Sequence, residues 1–187
     1  MANAFFTIGH GTRSLPEFVD LLRESAVDTV VDVRSMPRSR TNPQFNEQTF
    51  PEGLAPWQIG YEHIAELGGL RKNQHPADPL LNGFWNVRSF RNYADYALTG
   101  SFAVGLARLR DLGSQRRCAN MCAETVWWRC HRRIITDYLL AAGDNVFHIL
   151  GKSHVDEARL TPGAVVREDR KVIYPVPPSA GEADDRG

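Results

Sequence analysis

The chain has 187 residues, enough for one domain with a sizeable core plus an appendage. Hydrophobic residues make up 42% and charged residues 24%, an ordinary balance for a globular protein in water and not that of a disordered or fibrous chain. Basic and acidic residues cancel to a formal net charge of zero, which argues against a long-range field that gathers nucleic acid.

Arginine far outnumbers lysine, however, and arginine is the residue that forks onto phosphate or carboxylate. The three cysteines, Cys118, Cys122 and Cys130, are few, odd in number and clustered, unlike the disulfide framework of a small secreted domain. The opening Met1-Ala2-Asn3-Ala4 has neither the basic start nor the apolar run of a signal peptide, and no apolar stretch is long enough to span a bilayer. A cytoplasmic protein without a membrane partner is the expectation.

Ala4 to Ile8 reads as a buried strand that breaks into the turn Gly9-His10-Gly11. Ser14, Pro16 and Glu17 form a helix-start signature, and Phe18, Leu21 and Leu22 supply the apolar face behind it. Thr29 to Val33 is a second buried strand, and the β-α-β order favours a parallel pair. From Arg34 to Phe50 the pattern gives way to a long polar loop carrying Arg34, Arg38 and Arg40. Ile59 to Ile64 reads as a short strand, and 67–86 as irregular chain broken by Gly and Pro. Residues 89–112 read as helical, split near Gly100.

Cys118 to Cys122 is a further main strand. Ile134, Ile135, Tyr138, Leu139 and Ala142 form a helical stripe ended by Gly143, and Val146 to Leu150 closes the core pattern. Ala164-Val165-Val166 and Val172-Ile173-Tyr174 flank a polar turn as a hairpin. The expected fold is α/β, a three-layer sandwich with a mainly parallel central sheet and a C-terminal β-hairpin extension. Residues 1–151 form the α/β domain, 152–176 the hairpin appendage and 177–187 a disordered tail.

Ligands sit beyond the carboxyl ends of the strands in open parallel sheets. Three predicted strands end in reactive residues: His10 after the first, Asp32 to Arg34 in the second, and Cys122 to Glu124 after the third. Parallel neighbours would bring these groups to one rim. Arg34, Arg38 and Arg132 suit an anion clamp, although on a bland reading Arg34 and Arg38 belong to a solvated loop and Asp32 merely pairs an arginine. His10 is equally compatible with hydrogen-bonded structure. Trp127 and Trp128 lie near enough in sequence to desolvate Glu124, which would make it a usable general acid or base, and Trp128 could stack on a base.

Cys118, Cys122, Cys130 and His131 are soft ligands of the type zinc or iron takes, but no C-x-x-C pair is present. Adjacent Cys130 and His131 rarely reach one ion, so no metal is expected, and no motif names another cofactor. Cys122, lying between a strand and a helix, is also similar to the thiols of sulfur-transfer enzymes, whose acidic-basic strand Val31-Asp32-Val33-Arg34 resembles.

Several segments taken together resemble the domain of unknown function 488 family. They are Ile8-Gly9-His10, Val31-Asp32-Val33-Arg34-Ser35-Met36-Pro37-Arg38-Ser39, Asn42-Pro43-Gln44-Phe45, Leu67-Gly68-Gly69, Tyr93-Ala94-Asp95-Tyr96, Met121-Cys122-Ala123-Glu124 and Cys130-His131-Arg132-Arg133. The resemblance runs from about Phe6 to Leu150 and implies an α/β fold and a motif set, not a mechanism. Thr125-Val126-Trp127-Trp128-Arg129 departs from the Pro and the small or acidic residues common in the family there.

The leading functional expectation is an enzyme acting on an anionic small molecule, a nucleotide or a nucleic-acid-derived substrate. Glu124, Cys122 and His131 are its catalytic candidates, and His10, Asp32, Arg34, Arg38, Arg132 and Trp128 its binding candidates. The alternatives are a rhodanese-like sulfur-transfer or redox protein using Cys122, and a non-catalytic nucleotide or nucleic-acid binder. No oligomeric state is assigned.

Overall fold

The computed structural model describes residues 2–177, so the disorder expected for the tail falls, from residue 178 onward, outside the described residues. The strands are β1 (Ala4–Gly9), β2 (Thr29–Asp32), β3 (Gly60–His63), β4 (Cys118–Cys122), β5 (Asn145–Gly151) and β6 (His154–Glu157). They form one sheet in the order β3-β2-β4-β1-β5-β6, parallel throughout except for β6 against β5. A separate two-stranded hairpin pairs β7 (Val165–Val166) with β8 (Val172–Ile173). The α/β architecture with a mainly parallel sheet and a C-terminal hairpin is therefore the one expected.

Alternation along the strands sends side chains to two apolar layers. Phe6, Ile8, Val30, Ala119, Met121 and Ile149 face helix α1 (Leu15–Glu24) and helix α2 (Phe50–Leu54). Phe5, Val31, Val33, Cys118 and Val146 face the opposite layer of α3 (Arg88–Tyr96), α4 (Gly100–Gln115) and α5 (Arg132–Ala141). Val172 and Tyr174 of the hairpin segment are buried in this second layer.

Local chemistry sets the helix starts. Ser14 and Glu17 form a reciprocal capping box at α1, and Thr99 accepts a hydrogen bond from the Phe102 N–H at the start of α4. The Thr99 cap thus stands at the helix break expected near Gly100.

Two elements escape the sequence reading. Helix α2 is hidden by Pro51 and Gly53, which look like punctuation. Pro51 sits in the first turn, where its missing N–H costs nothing, and a Cβ at Gly53 would press on the Leu15 side chain. Strand β6 is exposed at every position and Val155 is its one apolar residue, so it has no apolar alternation to betray it. A charged edge strand of this kind also discourages sheet-to-sheet association.

Candidate functional site

The register places the carboxyl ends of the three central strands side by side. Gly9 pairs with Cys122 and Asp32 with Met121, so β2, β4 and β1 finish at one rim. A cleft of about 600 Å³ opens there. Its walls include His10, Arg34, Arg38, Cys122, Glu124 and His131, so six of the residues singled out by sequence meet in one space. Asp32 and Arg132 are buried just behind the wall, while Trp128 is half-exposed and does not line the cleft. Arg129, Cys130 and Gly69 line it as well. Gly69 belongs to the Leu67-Gly68-Gly69 segment of the family resemblance, and Arg129 stands next to Cys130, but neither is among the site candidates.

On the β2 side, Asp32 is an organising anion. Its carboxylate accepts hydrogen bonds from the Arg34 N–H (3.1 Å), Arg34 Nε (2.9 Å), Arg34 Nη2 (2.6 Å) and the Tyr61 hydroxyl (2.8 Å). Arg34 Nη2 also donates to the Phe45 carbonyl at 2.6 Å. Arg34 is thereby a fixed strut with its charge already neutralised, and not the mobile clamp that its loop position suggests.

His10 is pinned too. Its Nδ1–H donates to the Gly11 carbonyl at 2.8 Å and its Nε2 lies 3.2 Å from Arg34 Nη1, which can only donate. Burial lowers the His10 pKa, the Gly11 bond partly opposes this, and the Arg34 charge lowers it further. His10 is therefore a neutral imidazole with both nitrogens engaged, stacked on Phe45 with ring centroids 4.3 Å apart.

The β4–α5 side is different. The Sγ atoms of Cys122 and Cys130 and a ring nitrogen of His131 all lie within 4.8 Å of one another. Adjacent Cys130 and His131, a pair that rarely reaches one ion, here turn toward a common space with Cys122. Cys130 is extended (φ −117°, ψ 148°) and His131 is helical (φ −58°, ψ −18°), so the chain turns into α5 between them and both side chains swing to the same side. The third cysteine stays apart. Cys118 lies fully buried, its thiol pushed up to about 12 by burial.

His131 Nε2–H donates to the Val33 carbonyl at 2.7 Å, which leaves Nδ1 facing Cys130 Sγ at 3.6 Å. The room for this ring comes from Gly69, where any Cβ would overlap the imidazole. Gly69→Ala should therefore destabilise the protein by about 1–3 kcal/mol through overpacking. Gly100→Ala, whose Cβ meets nothing within 4 Å, should be neutral in the same urea melts.

Arg132, at the start of α5, is 1% exposed. Its Nε donates to Cys130 Sγ at 3.3 Å and its Nη2 to the Glu124 carbonyl. Among the described residues no carboxylate pairs with it. A buried guanidinium needs a counter-charge, and Cys130 sulfur is the group in place to supply one. The neighbouring Cys122 pulls the Cys130 thiol well below its usual range, with His131 and Arg132 adding to this against burial. Cys122 is correspondingly raised by the neighbouring Cys130 and by burial.

Glu124 is exposed, not desolvated as the nearby tryptophans suggested. Its Oε1 accepts the Val126 N–H at 2.9 Å. Trp127 turns away to stack on His148 with centroids 4.1 Å apart. The carboxylate keeps a place on the cleft wall because Gly9 lets the Glu124–Thr125 backbone lie directly against β1, where a Cβ would strike the Glu124 carbonyl.

Comparison with known proteins gives one match. The family model described as domain of unknown function DUF488 covers residues 14–139, well over half of the chain. The chain belongs to the DUF488 family. Within that span lie Asp32, Arg34, Arg38, Cys122, Glu124, Cys130, His131 and Arg132, whereas His10 precedes it. No curated protein and no solved structure matches the chain. No helix among the described residues of this DUF488 member is long and apolar enough to cross a membrane.

Proposed function

We propose that the chain is an enzyme that holds an anionic small molecule in the cleft and acts on it through the Cys122–Cys130 pair. The observation that carries this reading is the buried Arg132 guanidinium, which among the described residues has no carboxylate partner and donates to the Cys130 sulfur. Thiolate is the nucleophilic form of cysteine, and a site that holds it beside a cation and open to a cleft suits nucleophilic or sulfur-transfer chemistry. Cys122, half-buried on the cleft wall, is the sulfur nearer to a substrate. Glu124 offers a proton donor or acceptor on the same wall, with Oε1 anchored to the Val126 N–H.

The anionic character of the substrate follows from two side chains. Arg38 and Arg129 line the cleft, are exposed and have no carboxylate partner among the described residues. Both are free to fork onto phosphate or carboxylate. The cleft volume suits a metabolite of nucleotide size.

Inorganic phosphate and AMP serve as probes. AMP should bind more weakly as salt rises, and Arg38→Ala and Arg129→Ala should each weaken it roughly tenfold. Cys122→Ser should retain binding and abolish turnover in a screen of anionic metabolites. Binding unaffected by either arginine variant would place anion recognition elsewhere. Undiminished turnover in Cys122→Ser would return the chemistry to Glu124.

A further inference from the structure

We infer that Cys122, Cys130 and His131 form a binding site for one thiophilic divalent cation of the zinc class, with a fourth coordination position open to the cleft. The inference rests on the cleft's being the active centre and names the group that would act there.

Three observations support it. The first is separation. Bonds of about 2.3 Å to sulfur and about 2.0 Å to nitrogen at a tetrahedral angle put the two ligand atoms about 3.5 Å apart. Cys130 Sγ and His131 Nδ1 stand 3.6 Å apart, and Cys122 Sγ completes a set lying within 4.8 Å.

The second is ring orientation. Ligating histidines characteristically donate their other N–H to a carbonyl or carboxylate, which fixes the tautomer and aims the lone pair. His131 Nε2–H donates to the Val33 carbonyl at 2.7 Å and so turns the Nδ1 lone pair toward Cys130. Two electron-rich atoms that face each other in this way need an electropositive centre between them, a proton or a metal ion. Arg132 Nε–H, donating to Cys130 Sγ at 3.3 Å, is the outer hydrogen bond that a metal thiolate accepts.

The third is coordination number and charge. Three protein ligands on the wall of an open cleft match the catalytic type of zinc site and not the closed structural type. A divalent cation with two thiolates and a neutral imidazole has no net charge, and the adjacent Arg132 makes the surroundings positive. The open position therefore favours an anion, either hydroxide or the charged group of a substrate held by Arg38 and Arg129. On loading, any thiol proton on either sulfur leaves to solvent and both bind as thiolates.

The test uses the full chain, stripped with a chelator and reloaded with zinc or cobalt(II). Elemental analysis should find one zinc per chain in the wild type and in Cys118→Ser. Cobalt should give a thiolate-to-metal charge-transfer band. Cys122→Ser and His131→Gln should each weaken zinc at least tenfold. X-ray absorption of the zinc-loaded wild type, which needs no variant, should show two sulfur neighbours and at least one nitrogen.

Zinc binding below one-tenth stoichiometry, or zinc with only nitrogen and oxygen neighbours, overturns the inference. So does undiminished affinity in Cys122→Ser. Rapid alkylation of Cys122 and Cys130 in a chain that takes no zinc would defeat the metal while leaving the thiol reading standing. Sluggish alkylation of both in the metal-free chain would defeat the thiol reading itself.

Discussion

Replacing Cys130 with alanine should cost about 3–5 kcal/mol of folding stability, far more than a buried thiol contributes by packing. The reason is electrostatic. Arg132 stays 1% exposed and loses the sulfur that its Nε donates to, with no carboxylate among the described residues to replace it, so a positive charge is left in the interior. Domains of this size lose roughly 2–4 °C in Tm for each kcal/mol, so the melting point should drop by on the order of 10 °C. Adding Arg132→Met to Cys130→Ala should recover most of the loss, because an apolar chain of similar length removes the stranded charge. Such a double-mutant cycle isolates the sulfur–guanidinium coupling from the packing of either side chain. Additive losses in chemical denaturation would mean that Cys130 carries no charge.

Asp32→Ala is the second large effect, also about 3–5 kcal/mol. Four hydrogen bonds end on this fully buried carboxylate, three of them from Arg34. Its removal leaves Arg34 inside without a partner and strands the Tyr61 hydroxyl. The damage reaches the cleft through Arg34 Nη1, which lies 3.2 Å from His10 Nε2. Asp32→Asn keeps the shape and some of these bonds but not the charge, so it should fall between wild type and alanine in urea melts. An alanine variant as stable as wild type would show that the Asp32–Arg34 pair merely breaks even with solvent.

Much of the sheet was legible because its central strands carry continuous apolar runs. Ala4 to Ile8, Thr29 to Val33 and Val146 to Leu150 are largely buried, and helices cover each side. The same logic made strand ends the place to look, and the rim where His10, Arg34, Cys122 and Glu124 meet follows from it. Helix α2 and strand β6 were not legible, the first because Pro51 and Gly53 act through position and the second because an exposed edge needs no apolar pattern.

Within the site, residue types were easier to read than roles. Arg34 looked like a clamp and is a strut, because no sequence pattern reveals that Asp32 already neutralises it. Glu124 looked desolvated and is exposed, because Trp127 folds back on His148. The convergence of Cys130 and His131 depends on a change of backbone conformation between adjacent residues, and ligand spacing rules do not contain that information.

The most direct measurement is the rate at which each cysteine of the chelator-treated chain is alkylated by iodoacetamide at neutral pH, read peptide by peptide by mass spectrometry. The Cys122–Cys130 pair should label at least tenfold faster than Cys118, whose thiol lies buried and is pushed up to about 12. AMP bound in the cleft should slow that labelling. Equal and slow modification of all three cysteines would contradict the account, since no thiolate would then stand at the head of the cleft.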